Sequence, residues 1–299
     1  MFSFTKYSTI YYIFSGVIII GAIASLVIFG LKFGIEFTGG STMELEFTEL
    51  RPNGETIAKE LSSFNIGEVI IQPIRENSML LKFKGVDEAT HQQILSKINT
   101  LSGVQEKNFQ YIGPSIGQEL KNKTLIAIVL ALLAITIYIA FAFRKVSRPV
   151  ASWKYGITSL IALFHDILIP LGAFSVLGKF YNAEITIPII AALLTILGFS
   201  VHDTIVIFDR IRENILKRGG SSFSETVDWS LNQTVGRSIS TVATVLLVMF
   251  ALFFFGGDTL KWFSLALIIG IGAGAYSSIF IAGPLLVTWQ KWSEGRLKK

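Results

Sequence analysis

A carboxylate inside an apolar stretch is the first feature of this chain that could do chemistry. Asp203 sits in the run Leu197-Gly198-Phe199-Ser200-Val201-His202-Asp203-Thr204-Ile205-Val206-Ile207-Phe208-Asp209-Arg210. A charged carboxylate facing lipid is costly, so it must face other protein, find a partner or take up a proton. Burial raises a carboxyl pKa and a nearby cation lowers it, and alternation between those states is what a proton relay needs. Arg237, Thr241 and Thr244 fall at i, i+4 and i+7, which gives another apolar stretch one polar edge. Taken as the start of the fifth helix, Arg237 is placed to supply a cation to Asp203, and it stays charged at essentially any pH. A static salt bridge at the headgroup boundary is the alternative for that pair.

His165 and Asp166 form a second ionisable pair near the middle of a third apolar stretch, with Pro170 one turn later freeing a backbone carbonyl. These two extend a proton path or bind an ion, with His202 as a further polar neighbour, or else are packing contacts satisfied by hydrogen bonds. His91 lies in the polar part of the chain without a second histidine nearby, and reads as a solvated or capping residue rather than a metal ligand. The chain has no cysteine, so a disulfide framework and a thiolate metal site are both excluded. Its paired glycines, Gly39-Gly40, Gly219-Gly220 and Gly256-Gly257, belong to no GxxxxGK[ST] loop. No catalytic residue, cofactor or metal is expected. Work would then be driven by a partner ATPase or by an ion gradient.

The elements that must position these groups are membrane helices. Hydrophobic residues make up 51% of the chain and charged residues 16%, against about 25% charged in ordinary soluble domains. Apolar blocks at 11–31, 123–143, 158–178, 187–208 and 238–255, and a glycine-rich one at 262–286, suit a hydrocarbon core about 30 Å thick. The first block is too long for a signal-peptide core and lacks a small-x-small cleavage site, so it is read as a retained helix. Gly270 and Gly274 in the sixth are spaced GxxxG and followed by Ser277 and Ser278, a face for close helix packing within the chain or against a partner.

The net charge of +5 is distributed as a topology signal, not as a nucleic-acid patch. Arg144, Lys145, Arg148 and Lys154 follow the second helix, Arg210, Arg212, Lys217 and Arg218 the fourth, and Lys291, Arg296, Lys298 and Lys299 the sixth. Only Lys179 and Lys261 fill the other two short connections. The positive-inside rule then makes both termini cytoplasmic and the first long loop external.

Residues 32–122 are the one candidate soluble domain. Thr42–Thr48 alternates as a strand, with Met43, Leu45 and Phe47 on one side. A turn at Pro52-Asn53-Gly54 precedes a short helix over 55–64 carrying Ile57, Leu61 and Phe64. Glu68–Ile74 and Met79–Lys84 read as a hairpin. Asp87 caps a helix over 88–100 with Ala89, Ile94 and Ile98 on its apolar face, and Val104–Ile112 is the last strand. The order βαββαβ is the ferredoxin-like split arrangement. The fold class expected is an all-α polytopic membrane protein of six transmembrane helices with this small α+β domain between helices one and two. The boundaries are 1–34 for a cytoplasmic head and first helix, 35–122 for the external domain, 123–289 for five further helices, and 290–299 for a basic cytoplasmic tail.

Several of these segments resemble one known family. Phe33-Gly34-Ile35-Glu36-Phe37-Thr38-Gly39-Gly40 is similar to the FG[IV]DFxGG signature of the SecD/SecF protein-export proteins, with Glu36 where the family commonly has Asp. The run from Gly198 through Asp203, continuing as Phe208-Asp209-Arg210-Ile211-Arg212-Glu213-Asn214, resembles the SecF branch. So do Gln233-Thr234 and Arg237-Ser238-Ile239-Ser240-Thr241, with Ser238 and Ser240 as departures that keep a small polar character.

The resemblance implies a member of the RND superfamily driven by a proton or sodium gradient. It also implies pairing with SecD, association with the SecYEG channel and with YajC and YidC, action on exported preproteins, and residence in a bacterial inner membrane. Asp203 and Arg237 match the family's cation-coupling Asp and Arg. The length fits a separately encoded half rather than a SecDF fusion, and Met1 with its short head reads as a natural start. The rival readings are half of an RND drug or lipid transporter, disfavoured by an external segment of only about ninety residues, and a structural scaffold of a membrane complex. An intramembrane peptidase lacks a matching motif around Asp203 and Asp166.

Overall fold

The computed structural model describes residues 1–67, 69–143, 150–217 and 222–297. The basic residues Arg144, Lys145, Arg148, Arg218, Lys298 and Lys299, the glycine pair 219–220 and Glu68 at the expected strand start lie outside the described residues. The chain divides into two compact units, one of Met1–Lys32 with Ala127–Lys299 and one of Phe33–Ile126.

The first helix, α1 (Ser8–Phe29), ends where Gly30 takes a positive φ and donates its amide to the Leu26 carbonyl. The smaller unit then opens with a single turn, α2 (Ile35–Thr38), and strand β1 (Gly40–Phe47). It continues through α3 (Gly54–Leu61), β2 (Ile70–Arg75), β3 (Ser78–Phe83), α4 (Glu88–Asn99) and β4 (Val104–Ile112). All pairings are antiparallel and the strand order is β2-β3-β1-β4, so β3 is inserted between the two strands of the first βαβ unit, as the split arrangement requires.

Period-two alternation builds the core of this unit: Met43, Leu45 and Phe47 of β1 and Met79, Leu81 and Phe83 of β3 are buried. Against them pack Ile57 and Leu61 of α3 and Ile94 and Ile98 of α4, residues one helical turn apart. Asn53 caps α3 through the Glu55 amide, and Asp87 caps α4 through the Thr90 amide at 2.9 Å.

Among the described residues, six helices are long and apolar enough to cross a membrane: Thr5–Phe29, Pro114–Ala142, Ser152–Tyr181, Ile187–Lys217, Phe223–Phe255 and Leu260–Glu294. After α1 they contain α5 (Pro114–Ala142), α6 (Ser152–Tyr181), α7 (Ile187–Lys217) and α8 (Phe223–Phe255). The last span joins α9 (Asp258–Ser277), one π turn at Ser278–Ala282 and α10 (Gly283–Leu297).

Most spans run past the apolar blocks, because hydropathy marks only the part that meets hydrocarbon. The fifth is the clearest correction. Ser222 and Glu225 form a reciprocal capping box that starts α8 at Phe223, so Arg237 lies deep in the helix rather than at its start.

The spans differ in depth within the bundle. Half of the apolar window of the third span is buried, with 44% for the fourth and 56% for the sixth, against 11% for the first, second and fifth. The third, fourth and sixth therefore form the centre. These are the spans that carry Asp166, Asp203 and the serine pair.

Candidate functional site

Asp166 is fully buried on α6, and both of its oxygens are hydrogen-bonded from within the bundle. Its Oδ1 faces Nδ1 of His165 at 2.9 Å. Its Oδ2 accepts from the hydroxyls of Ser200 on α7 at 2.5 Å and Ser277 at the end of α9 at 2.7 Å. The imidazole is anchored on its other side, with Nε2 2.9 Å from the Ser15 hydroxyl of α1. With the proton on Nδ1 shared toward Asp166, Nε2 is free to accept from Ser15, so one tautomer satisfies the pair without a second charge. Four helices thus meet at one histidine–carboxylate pair.

Asp203 on α7 is partly buried. Oδ1 accepts from the Ser238 hydroxyl of α8 at 2.6 Å, and Oδ2 accepts from the hydroxyl of Ser278, the first residue of the π turn. No cation pairs with Asp203 among the described residues. The expected contact with Arg237 is not made, and the reason is helical phase. Ser238 is the buried position on α8, whereas Arg237, Thr241 and Thr244 are exposed. The two threonine hydroxyls bond back to carbonyls of their own helix, at Arg237 and Thr241. Arg237 instead lines a cleft of roughly 300 Å³ with Asp209, Arg210, Glu213, Gln233 and Thr234.

His202 is also exposed and bonds to neither carboxylate. It is one residue from Asp203 and therefore turned about 100° around the helix from it.

The glycines of α9 account for the close approach. A Cβ on Gly270 would overlap the Ile196 side chain of α7, and one on Gly274 would stand 3.1 Å from Ser200 Cβ and 3.6 Å from Asp166 Oδ2. The GxxxG face lies against α7 in this chain, and that closeness lets Ser277 reach Asp166. Ser277 and Ser278 were expected as part of a packing face and Ser238 as a motif residue, but none of the four serines was expected as a donor to a carboxylate. The available signal was that a buried carboxylate needs donors and that small hydroxyls on closely packed helices are the donors that fit.

In the smaller unit the Phe33–Gly40 turn has a steric cause. Gly39 and Gly40 have φ of 74° and 148°, values that favour glycine. A Cβ on Gly39 would also overlap the Pro114 backbone at 2.8 Å. Phe33 packs edge-on to Phe37 and carries the Lys121 ammonium 5.0 Å from its ring centre. Gly34 is the N-cap of α2, and Glu36 lies in its first turn.

His91 corrects the expectation of a solvated residue. It is buried, stacks on Phe109 at 3.7 Å, and bonds through Nδ1 to Glu88 and through Nε2 to Glu106 at 2.6 Å. Burial pushes its pKa down, but Glu106 and Glu88 outweigh that and raise it above the ordinary value. Among the described residues no group of three or more His, Cys, Asp or Glu is placed to hold a metal.

A membrane bundle whose central helices carry one buried and one partly buried carboxylate, with a split βαβ domain inserted after its first span, defines a polytopic membrane protein with ionisable groups inside its spans. Residues 91–292 match the C-terminal region of the SecD/SecF protein export membrane proteins, and residues 24–49 match the SecD/SecF GG motif. The chain belongs to the SecD/SecF family, within the RND superfamily.

It is 42% identical to the protein translocase subunit SecF of Thermobaculum terrenum over 97% of this chain and 94% of that one. With the SecF of Desulfurispirillum indicum it shares 36% identity over 95% and 91%. Among solved structures, the translocon-associated SecDF of Thermus thermophilus superposes with a TM-score of 0.85 at 32% identity, covering 97% of this chain. The super-membrane-facing form of SecDF gives 0.73 at 31% identity, covering 99%. The chain spans 39% and 40% of the lengths of those two SecDF chains.

Proposed function

We propose that this chain works with SecD as an auxiliary subunit of the Sec protein-export machinery, coupling a transmembrane proton or sodium gradient to motion that promotes preprotein translocation and release. The observation that carries the reading is Asp203, a carboxylate inside a membrane span held by two hydroxyls, with no cation partner among the described residues. A charged carboxylate accepts from both Ser238 and Ser278. Once protonated it is itself a donor, so one of the two hydroxyls must turn or let go. Binding and release of the ion therefore change which helices α7 is tied to. One elementary charge moved through 100 mV supplies about 2.3 kcal/mol, enough to bias a two-state equilibrium roughly fifty-fold.

Arg237 supports the choice of SecD as partner. It lies on an exposed polar edge of α8, with Thr241 and Thr244, where bare lipid would be a poor neighbour and a second membrane subunit a good one. SecYEG, the emerging preprotein, YajC and YidC complete the proposed assembly, in a bacterial inner membrane. The basic connections argue for cytoplasmic termini, with residues 35–122 on the far side, after one crossing. His165 and Asp166 belong to the coupling machinery in this reading, and no enzymatic step is involved.

The test is gradient-driven preprotein release from vesicles holding SecD, the channel and either the native chain or Asp203→Asn. Loss of release with normal assembly is expected. Unchanged release would reduce the chain to a scaffold or move the relay to His165 and Asp166.

A further inference from the structure

Ser277 and Ser278 are neighbours in sequence, yet each serves a different carboxylate: Ser277 donates to Asp166 on α6 and Ser278 to Asp203 on α7. They also straddle the point where α9 gives way to the π turn Ser278–Ala282. A single π turn inside a helix displaces the backbone ladder by one residue and is frequent at functional sites.

Each hydroxyl has a second acceptor already in reach. Ser277 Oγ lies 3.1 Å from the Gly274 carbonyl, and Ser278 Oγ lies 3.2 Å from the Ala275 carbonyl. These are the i−3 carbonyls of the same helix, so a hydroxyl that loses its carboxylate need not be left unsatisfied. Back-bonding of this kind also bends a helix slightly.

We propose that Ser277 and Ser278 are positioning residues that link the ionisation of Asp166 to that of Asp203 through the π turn. The proposal rests on the reading of Asp203 as the group that titrates. When Asp203 takes up its proton, Ser278 transfers its hydrogen bond to the Ala275 carbonyl or turns to accept from the new carboxylic acid. The adjoining peptide, which also carries Ser277, moves with it. The donor on Oδ2 of Asp166 then shifts, while Ser200 and His165 hold the rest of that group in place.

Gly274 is what makes so short a link possible, since its bare Cα lets α9 lie against Ser200 and Asp166 together. The elements packed here carry further titratable or charged side chains, among them His165 and Lys154 on α6, His202, Asp209 and Arg210 on α7, Asp228 and Arg237 on α8, Lys261 on α9, and Tyr11 and Tyr12 on α1. The adjoining stretch of α9 and the π turn add Tyr276, whose ring stacks on His165 and whose hydroxyl donates to the Tyr11 carbonyl.

The experiment is an infrared titration of the full chain in lipid nanodiscs, with the Asp203 carboxyl band identified by its loss in Asp203→Asn. Asp166→Asn is expected to move the Asp203 midpoint by about one pH unit. With Ser277→Ala and Ser278→Ala in the background, the same substitution is expected to move it by less than a third as much, and threonine at both positions to restore the shift.

An equal shift with and without the serines overturns the relay in favour of a field acting directly through the bundle. No shift from Asp166→Asn, or an Asp203 band that does not titrate, overturns it as well. Should the double alanine variant fail to fold, Ser277→Ala alone carries the test, because it cuts the link on the Asp166 side and leaves both donors of Asp203 in place. The readout does not depend on transport, so a failed relay leaves the vesicle result standing, and a failed vesicle result leaves this one interpretable.

Discussion

Among the described residues, histidine meets carboxylate at His91 and at His165, and the surroundings of the two are opposites. His91 meets Glu88 and Glu106, whose side chains are 71% and 22% exposed, so water completes what the imidazole does not. His165 meets Asp166, and the two side chains are 2% and 0% exposed. There, every remaining bond has to come from protein, and Ser15, Ser200 and Ser277 provide it from three different helices. The chemistry of the pair is the same in both places. What differs is the number of neighbouring elements that must be correctly placed before the pair can exist, and that number rises with depth. A buried pair is therefore a joint between helices, whereas a half-exposed pair is a local fixture.

The comparison breaks most clearly at Asp166. Asp166→Ala removes one partner each from His165, Ser200 and Ser277, leaving the buried His165 Nδ1 and Ser200 hydroxyl without an acceptor while Ser277 keeps the Gly274 carbonyl. With two buried polar groups left unsatisfied, a loss of about 2–5 kcal/mol is expected in denaturant unfolding of the full chain in detergent. Glu106→Gln, its counterpart in the α+β domain, is expected to cost no more than about 1 kcal/mol, because the site stays open to solvent. Equal losses at the two positions would mean that the serines around Asp166 add nothing that water does not.

Gly270→Val probes the close packing that brings the donors in. It drives a branched side chain into Ile196, with an expected cost of about 1–3 kcal/mol. The same measurement on Gly272→Val, where a Cβ would meet nothing within 4 Å, should show a far smaller change.

The two regions were also unequally legible in the sequence. In the α+β domain, alternation at Met43, Leu45 and Phe47 and the turn-spaced Ile94 and Ile98 were enough to place strands and helices, because each signal is local and the core is apolar. β4 was expected at Val104–Ile112 and is found there. In the bundle, the six spans and the cost of Asp166 and Asp203 were legible for the same reason, since composition alone marks a charge in an apolar helix. The partners of those charges were not. Which face of α8 turns inward depends on helical phase over fourteen residues from its true start at Phe223, and the apolar block hid that start. A one-residue difference in phase separates Arg237 from Ser238. His91 failed on different grounds, since its burial depends on β4, the next element of the chain, folding back to bring Phe109 and Glu106 against α4.

The smallest effect expected is also the one with the most definite sign. The folded-state pKa of His91 is raised above its ordinary value of 6.5, because the two glutamates favour the imidazolium more than burial disfavours it. A group of this kind binds its proton more tightly in the folded chain, so its contribution to stability is fully present below pH 6.5 and is lost as pH rises through the folded value. Glu88 acts in the opposite direction. Hydrogen bonds from Gln92 and His91 hold its carboxyl below the ordinary 4.5, so its contribution is lost as pH falls through that lowered value. Hydrogen exchange over β1 and β4 of the full chain should therefore show the native protein better protected than His91→Gln between about pH 5 and 6.5, with the difference narrowing above it. A difference that grows with pH would mean that the neutral imidazole is the favoured form. Burial would then outweigh Glu88 and Glu106 at His91.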